Sequence, residues 1–481
     1  MALAKPLAAG FQSSFGAFNE LFQYTYADVI IKLLDTVDDL EKWVDSINYE
    51  DWGGGDAKHY LYKTAEGSGS RFIGGRGAGA NAPVLPAYNP PSYQEAAIRL
   101  FPHMDIVEIT GPKLVRAHDK PNMYRSIMNE LVMDAKDSHR NRIGPKYWWG
   151  TSDTTPSDPG TAGANSGALG LVLNTALVAA LTDPAAATDG VIAAGGVIRV
   201  RQRECDGNIA NTKAYMNAYA GARFLRVGMQ VAIGTAVDLT TGAADTAIIA
   251  SVDQTNQAFT LDAQVTLPAA GQVFIVEGDA NGNEFGGSVT GLNDAINDNG
   301  NYHGIDRGTL AAPDNQTWHS FVVRNGNVLR DFNHFRITSL LMRMGELGPK
   351  DVSEMDPVIF SHSSLLQVYL QEIDPVYMQT DLKALKGHTT IAYQYGAKQI
   401  PWETARSHPL NSYHVLDRSA MKRVRLGDYG WDTSTGAIWK QIPGTFAFQA
   451  FAYNEFELVC ENPRTQGKEE DIRVPTGLIF T

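Results

Sequence analysis

Residues 53–117 constrain this chain more than any other stretch. Their middle, EGSGSRFIGGRGAGANAPVLPAYNPPSY, packs glycine, proline and small residues together with neither a helical nor a strand period. A structureless loop of that length is uncommon inside a compact domain. Two extended runs flank it, HYLYKT (59–64) and DIVEIT (105–110). The pattern predicts a two-stranded arm with a flexible tip, projecting from the body. A lone hairpin is only marginally stable in water. Such an arm is expected to find its partner on another subunit, with Arg71, Phe72 and Arg76 near its tip as candidate contact residues.

The flanking segments carry clearer periods. Phe11, Phe15, Phe18 and Phe22 recur at threes and fours in residues 1–25. A terminus with that many aromatics is expected to lie on its own subunit or a neighbour, which makes Phe11 and Phe15 contact candidates. Residues 26–47 read as an amphipathic helix with Val29, Leu33, Val37, Leu40, Val44 and Ile47 in one stripe, stopped by Gly53, Gly54 and Gly55. Residues 120–143 predict a long helix. Asp119 or Asn122 caps it, Tyr124, Ile127, Met128, Leu131 and Ala135 form its apolar face, and Gly144 and Pro145 end it.

From about 196 to 280 the period shifts to strands: GVIRVRQRE, RFLRVGMQVAI, DTAIIASVD, AFTLDA and GQVFIVEG. Turn residues separate them at regular intervals, which predicts a small inserted β-domain bracketed by GMQVAI and QVFIVEG. Residues 330–344 predict a helix through Phe332, Phe335, Leu341 and Met344, closed by Gly345, Gly348 and Pro349. A strand (357–361), a helix (363–373) and the strands TTIAYQY, KQIPWE and SYHVLD follow, an alternation that suggests a compact α/β lobe. The run GTFAFQAFAYNEFELVCENP (444–463) alternates as a strand and is expected to return to the first domain's sheet.

Charge and motifs narrow the function. With 40 Lys+Arg against 53 Asp+Glu the net charge is −13, the wrong sign for a chain that wraps nucleic acid. Two cysteines, Cys205 and Cys460, form no ligand cluster. No secretory pattern opens the chain, and the most apolar window, 167–181, is too short to span a bilayer comfortably, so a soluble protein is expected. GRGAGA (75–80) resembles a phosphate loop, but prolines follow where a helix is required. DANGNE (279–284) begins like a calcium loop but has Glu284 at its sixth position and Thr290 at its twelfth. His408 and His414 lack metal-ligand spacing. The basic cluster MKRVRLGD (421–428) reads as a solvated strand face, and RQRE (201–204) is a lesser one. No catalytic residue, cofactor or metal site is assigned, and an enzyme is not expected. A large, acidic, glycine-rich, strand-heavy chain with a projecting arm suits a shell subunit.

One segment carries a family resemblance. GLNDAINDNGNYHGIDRGTLAAPDNQTWHSFVVR (291–324), with Gly291-Leu292, then Tyr302 to Arg307, then Trp318 as its core, resembles the major capsid proteins of tailed bacteriophages. RFLRVGMQVAI resembles the small β-domain inserted in some of them, and the 120–143 helix fits their spine helix. The resemblance implies an α+β chain of the Hong Kong 97-like capsid fold. The implied map is an N-terminal arm (1–25), a helical start of the peripheral domain (26–52) and an extended β-hairpin loop (53–117). The peripheral domain with its spine helix (118–195), the inserted β-domain (196–282) and a return segment (283–319) follow, then an axial α/β domain (320–425) and a C-terminal return (426–481).

The implied partners are many copies of the chain itself in hexamers and pentamers, a separate scaffolding protein, a portal and a decoration protein. The shell would enclose double-stranded DNA without sequence-specific binding and without a membrane. The implied location is the virion, after synthesis in the host cytoplasm. The alternatives are an encapsulin-type nanocompartment shell and, outside that class, a secreted β-rich hydrolase or binding protein.

Overall fold

The longest strand, Ala447–Cys460, organises the structure because apolar residues recur along its fourteen positions and most of those positions are buried. The computed structural model describes residues 39–55, 57–65, 90–110, 143–148, 168–173, 191–192, 194–195, 197–199, 225–235, 245–253, 258–266, 272–277, 289–298, 301–308, 310, 318–326, 328–377, 391–427, 430–432 and 438–474. On one side, Ala447 to Phe456 pair antiparallel with Phe101–Thr110. On the other, the strand pairs with Met421–Arg425, Gly430–Trp431 and Trp439–Gln441. Asn48–Asp51 closes this first sheet, parallel to Met421–Arg425. The run expected over 444–463 is therefore a strand of the sheet that holds the chain's early segments.

This pairing corrects the expected arm. Lys58–Ala65 pairs with Ser92–Ile98, not with DIVEIT. DIVEIT lies within Phe101–Thr110, where Asp105, Val107 and Ile109 are buried on one face. Ten paired residues and a buried apolar row favour the sheet over a solvent-exposed hairpin. Two other expectations also shift. The helix Asp39–Ser46 ends before the glycines, and the polar strand Asn48–Asp51 intervenes. Leu40, Val44 and Ile47 of the expected stripe are buried. Residues 143–148 are helical through Gly144 and Pro145, because burial of Ile143, Tyr147 and Trp148 in the main core outweighs local propensity.

The second sheet is mixed. Its order is Phe321–Val323, Gly467–Glu469, Tyr413–Asp417, Pro357–Ser361, Lys398–Thr404 and Ile391–Tyr395. The strands and helices expected between 330 and 420 all form, the helices as His334–Leu347 and Ser363–Tyr377. Asn333 Oδ1 caps the first helix by accepting from Phe335 N at 2.9 Å. Its buried face is Ile337, Leu340, Leu341 and Met344, and Phe335 points to solvent. The helix runs through Gly345 and ends at Gly348, where a Cβ would lie 2.1 Å from Met344 O. These elements share a core with Trp402, Tyr413 and Val415.

The β unit has its own core of Ile198, Leu225, Val231, Ile249, Phe259 and Leu261. Its antiparallel sheet runs Ala168–Leu173, Gln272–Glu277, Gln230–Thr235, Asp245–Asp253, Ala258–Leu261, Val197–Arg199. Gln230–Thr235 and Gln272–Glu277 are direct neighbours rather than outer walls. Part of the apolar window 167–181 supplies an edge strand. Among the described residues no helix is long and apolar enough to cross a membrane.

The second sheet packs tightly enough to test. A Cβ on Gly467 would meet Met344 Sδ at 2.8 Å and Leu340 Cδ1 at 3.1 Å. Gly467→Ala is expected to destabilise the chain by about 1–3 kcal/mol, read by urea unfolding.

Candidate assembly surface

The hairpin Lys58–Ala65/Ser92–Ile98 has two faces of different character. Among the described residues its two strands form a sheet of their own. Directly opposed residues of an antiparallel pair share a face. Tyr60, Tyr62, Ala96 and Ile98 form the inner face, and His59, Leu61, Lys63, Tyr93 and Glu95 the outer one. Ala96 and Ile98 are fully buried, while Leu61 is 70% and Tyr93 52% exposed.

Charge and aromatic contact fix the inner face to the body. Glu50 accepts from Lys58 Nζ and from Tyr60 OH, the latter at 2.7 Å. Those two bonds hold the Glu50 carboxyl below the usual carboxylate range. Lys422 lies 3.9 Å from the same carboxylate and 2.5 Å from Glu461. Ile98 packs on Val424 and Val459, and Tyr62 packs on Trp318 with ring centroids 4.7 Å apart. Burial pushes the Tyr62 phenol up.

The segment that carries the family resemblance folds into a clasp under this root. Tyr302, Ile305, Arg307 and Trp318 are buried. Arg307 donates to Ala295 O at 2.8 Å and to Trp318 O at 3.3 Å, and its guanidinium lies 4.7 Å from the Tyr302 ring centroid. His303 and Gly304 have φ of 51° and 86°, the left-handed pair that a two-residue hairpin turn requires. His303 O accepts from Ala97 N at 3.2 Å, and Tyr302 OH accepts from Cys460 N at 2.7 Å. One turn thus joins the hairpin to the long C-terminal strand. Burial lowers the His303 imidazole to about 4, so it is neutral at physiological pH.

A second exposed apolar row lies on the first sheet. Met104 pairs with Tyr453, and Ile106 with Phe451. Met104, Ile106 and Tyr453 are exposed, and Lys440 Nζ sits 5.7 Å from the Phe451 ring. Met421–Arg425 departs from the expected solvated face. Arg423 pairs with Asp45, and Arg425 pairs with Asp51 at 3.1 Å while lying 3.7 Å from the Tyr49 ring centroid. These arginines clamp the Asp39–Ser46 helix and the strand after it, and the exposed apolar residue is Leu426.

The candidate contact residues Phe11, Phe15, Arg71, Phe72 and Arg76 lie outside the described residues, as do GRGAGA, DANGNE, RQRE and most of the 120–143 helix. His408 and His414 do meet, with His408 Nε2 2.8 Å from His414 Nδ1, both buried against Trp148. Burial, aided by His408 and Lys468, holds His414 well below its ordinary value. Among the described residues no group of three or more His, Cys, Asp or Glu side chains is placed to hold a metal ion. Sequence reasoning missed Leu61, Tyr93, Met104 and Ile106 as contact candidates. Their signal was alternation within the flanking strands rather than the composition of the tip.

No family model and no curated protein matches this chain. Solved structures do. The chain is similar to the cyanophage A-1(L) capsid asymmetric unit over 91% of its own length and 93% of that chain, at 11% identity and a TM-score of 0.43. The capsid of the native GTA particle is similar over 89% of each chain, at 8% identity and a TM-score of 0.37. A Mycobacterium phage Bobi structure is similar over 90% of each chain, at 7% identity and a TM-score of 0.38. All three TM-scores are low, and the functional reading rests on the faces described above.

Glu457 sits beneath the clasp with no ion-pair partner among the described residues. Its Oε1 accepts from Thr290 N at 2.6 Å, and burial pushes its carboxyl from 4.5 up to about 8. Between those values the folded chain keeps a proton that the unfolded chain has lost. This group's contribution is therefore fully present below pH 4.5 and fades as pH rises to 8, by up to ~1.4 kcal/mol per pH unit. Glu457→Gln is expected to remove that slope, leaving the variant more stable than the native chain at pH 8, as read by urea unfolding across a pH series.

Proposed function

We propose that this chain is the major capsid protein of a tailed bacteriophage, with a Hong Kong 97-like fold, and that its work is association rather than catalysis. The observation that carries the reading is the hairpin. Its inner face is bolted to the body, while its outer face presents Leu61 and Tyr93 to solvent. A second apolar row, Met104, Ile106 and Tyr453, lies on the first sheet. Apolar rows on strand faces mark protein–protein contacts, and strand edges offer backbone pairing to another chain. Copies of the chain supply the covering surface. Contacts of this kind are weak singly and strong when repeated over a closed lattice.

In this reading the hairpin is the stem of the extended loop, and the Ala447–Cys460 sheet belongs to the peripheral domain. The second sheet with its two helices is the axial domain, and the β unit is an insertion. Hexamers and pentamers of the chain close the head around double-stranded DNA in the virion. A separate scaffolding protein guides closure, and a portal and a decoration protein complete the particle.

Electron microscopy of the purified protein tests the proposal. Uniform polyhedral particles are expected, and a monomer at every concentration overturns it. The double variant Leu61→Ser, Tyr93→Ser is expected to keep its unfolding free energy within ~0.5 kcal/mol, because both sites are exposed. It should sediment as small oligomers instead of shells.

A further inference from the structure

The two edges of the second sheet carry opposite charge. Its outermost strands among the described residues are Phe321–Val323 and Ile391–Tyr395. The helix His334–Leu347 is bonded towards both. Its Arg336 reaches Glu469, next to the first edge, and Tyr393 OH donates to His334 O at 3.1 Å on the second.

The first edge is basic. Arg464 lies on the turn Pro463–Thr465, with its guanidinium 4.2 Å from the Phe321 ring centroid and its Nε donating to Leu347 O at 3.4 Å. Burial, and after it the charge of Arg343 on the helix, lowers the Arg464 guanidinium. Other arginines of this lobe are matched: Arg330 and Arg336 with Glu469, Arg418 with Asp356, and Arg473 with Asp331. Arg343 and Arg464 have no ion-pair partner among the described residues. Two neighbouring guanidinium groups without a carboxylate repel each other, here in a chain whose net charge is −13.

The second edge is acidic. Burial raises the Tyr395 phenol, and the nearby carboxylates of Asp351 and Glu346 raise it further. Asp351 opens an exposed turn, its Oδ1 accepting from Ser353 N at 2.9 Å, and Glu354 lies on the same turn. Two lysines are close by but engaged elsewhere. Lys398 Nζ donates to the carbonyl oxygens of Val352, Ser353 and Met355, and Lys350 Nζ to Ser419 Oγ at 3.3 Å. Glu346, Asp351 and Glu354 are exposed and have no ion-pair partner among the described residues. The helix that carries Arg343 and Glu346 also exposes Phe335, Met342 and Leu347.

We propose that Arg343 and Arg464 of one copy seat against Asp351 and Glu354 of the next, covering Met342 and Leu347. The inference rests on the proposed function, which supplies the second copy, and adds the surface through which copies join head to tail. Because the two patches differ, the contact is heterologous and closes into a ring when the rotation between copies allows. Arginine and methionine are enriched in protein–protein contacts. Nucleic acid fits the same lobe less well. Its phosphates would meet the arginines, but Glu346, Asp351 and Glu354 would repel them, and the apolar side chains would stay uncovered.

Charge reversal in the full-length chain tests the contact, read by sedimentation velocity at about 0.1 M salt, where charges within ~10 Å still interact. Arg343→Glu and Glu354→Arg are each expected to raise the protein concentration needed for assembly about tenfold or more. Their urea midpoints should not move, because both sites are exposed. The double variant restores unlike charges at every contact and should assemble as the native chain does. Native-like assembly of both single variants overturns the proposal, as does a double variant no better than the singles. Particles that form normally from Arg343→Glu but retain less DNA assign the arginines to nucleic acid, which also overturns it. A native chain that is monomeric at every concentration overturns the proposed function as well, whereas native shells beside unaffected variants overturn this contact alone. Should a single variant fail to fold, Arg343→Gln decides: assembly weaker than native and less sensitive to salt is expected, and unchanged assembly overturns the contact.

Discussion

Backbone pairing along Ala447–Cys460 is the interaction on which the described architecture depends. That strand has partners on both sides, drawn from residues 101–110 and from residues 421–441. Through Met421–Arg425 it also holds Asn48–Asp51, the strand that carries Glu50. Glu50 in turn receives Lys58 and Tyr60 at the root of the hairpin. The hairpin is thus positioned by contacts that cross nearly the whole sequence. Such long-range pairings are slow to form and leave strand edges exposed meanwhile.

The interior of this frame is unusually polar where its lobes meet. Arg307, Glu457, Lys468, Glu469 and Glu470 are all essentially inaccessible to solvent. Glu469 is held by Arg330 at 2.7 Å and by Tyr413, while Glu457 is held by neutral donors, the Thr290 side chain and backbone N–H groups. Buried pairs of this kind add little net stability over apolar replacements, but removing one partner is costly. The same seam holds the neutral histidines His303 and His414. Its integrity therefore responds to pH from both sides. Acid charges the histidines, and alkali charges Glu457.

Legibility followed the apolar pattern of each segment. The strands 357–361 and 413–417 were readable as short runs rich in β-branched and aromatic residues, buried throughout, and 447–460 because apolar residues recur along its whole length. Asn48–Asp51 was not, since NYED has no apolar face and is held by Arg425, Asp51 and backbone bonds. Ser92–Ile98 was hidden for a related reason: only Ala96 and Ile98 are buried, and the rest of the strand faces water. Its partner was therefore sought in DIVEIT, whose stronger pattern belongs to a sheet. The search for contact residues was drawn to the aromatics and arginines of the tip and the front arm, whereas the described exposed rows lie on the strands. The buried charges Glu457, Lys468, Glu469 and Glu470 had no sequence signal at all, because their surroundings are assembled only by the packing of distant elements.

The central claim is that the outer face of the hairpin is completed by a second copy of the chain. Hydrogen–deuterium exchange of Lys58–Ala65 and Ser92–Ile98, compared between the isolated and the assembled protein, tests it most directly. The account predicts rapid exchange toward the tip in the isolated chain and strong protection on assembly, with Ala447–Cys460 protected in both. Equal protection of both hairpin strands in an isolated, monomeric chain would contradict it.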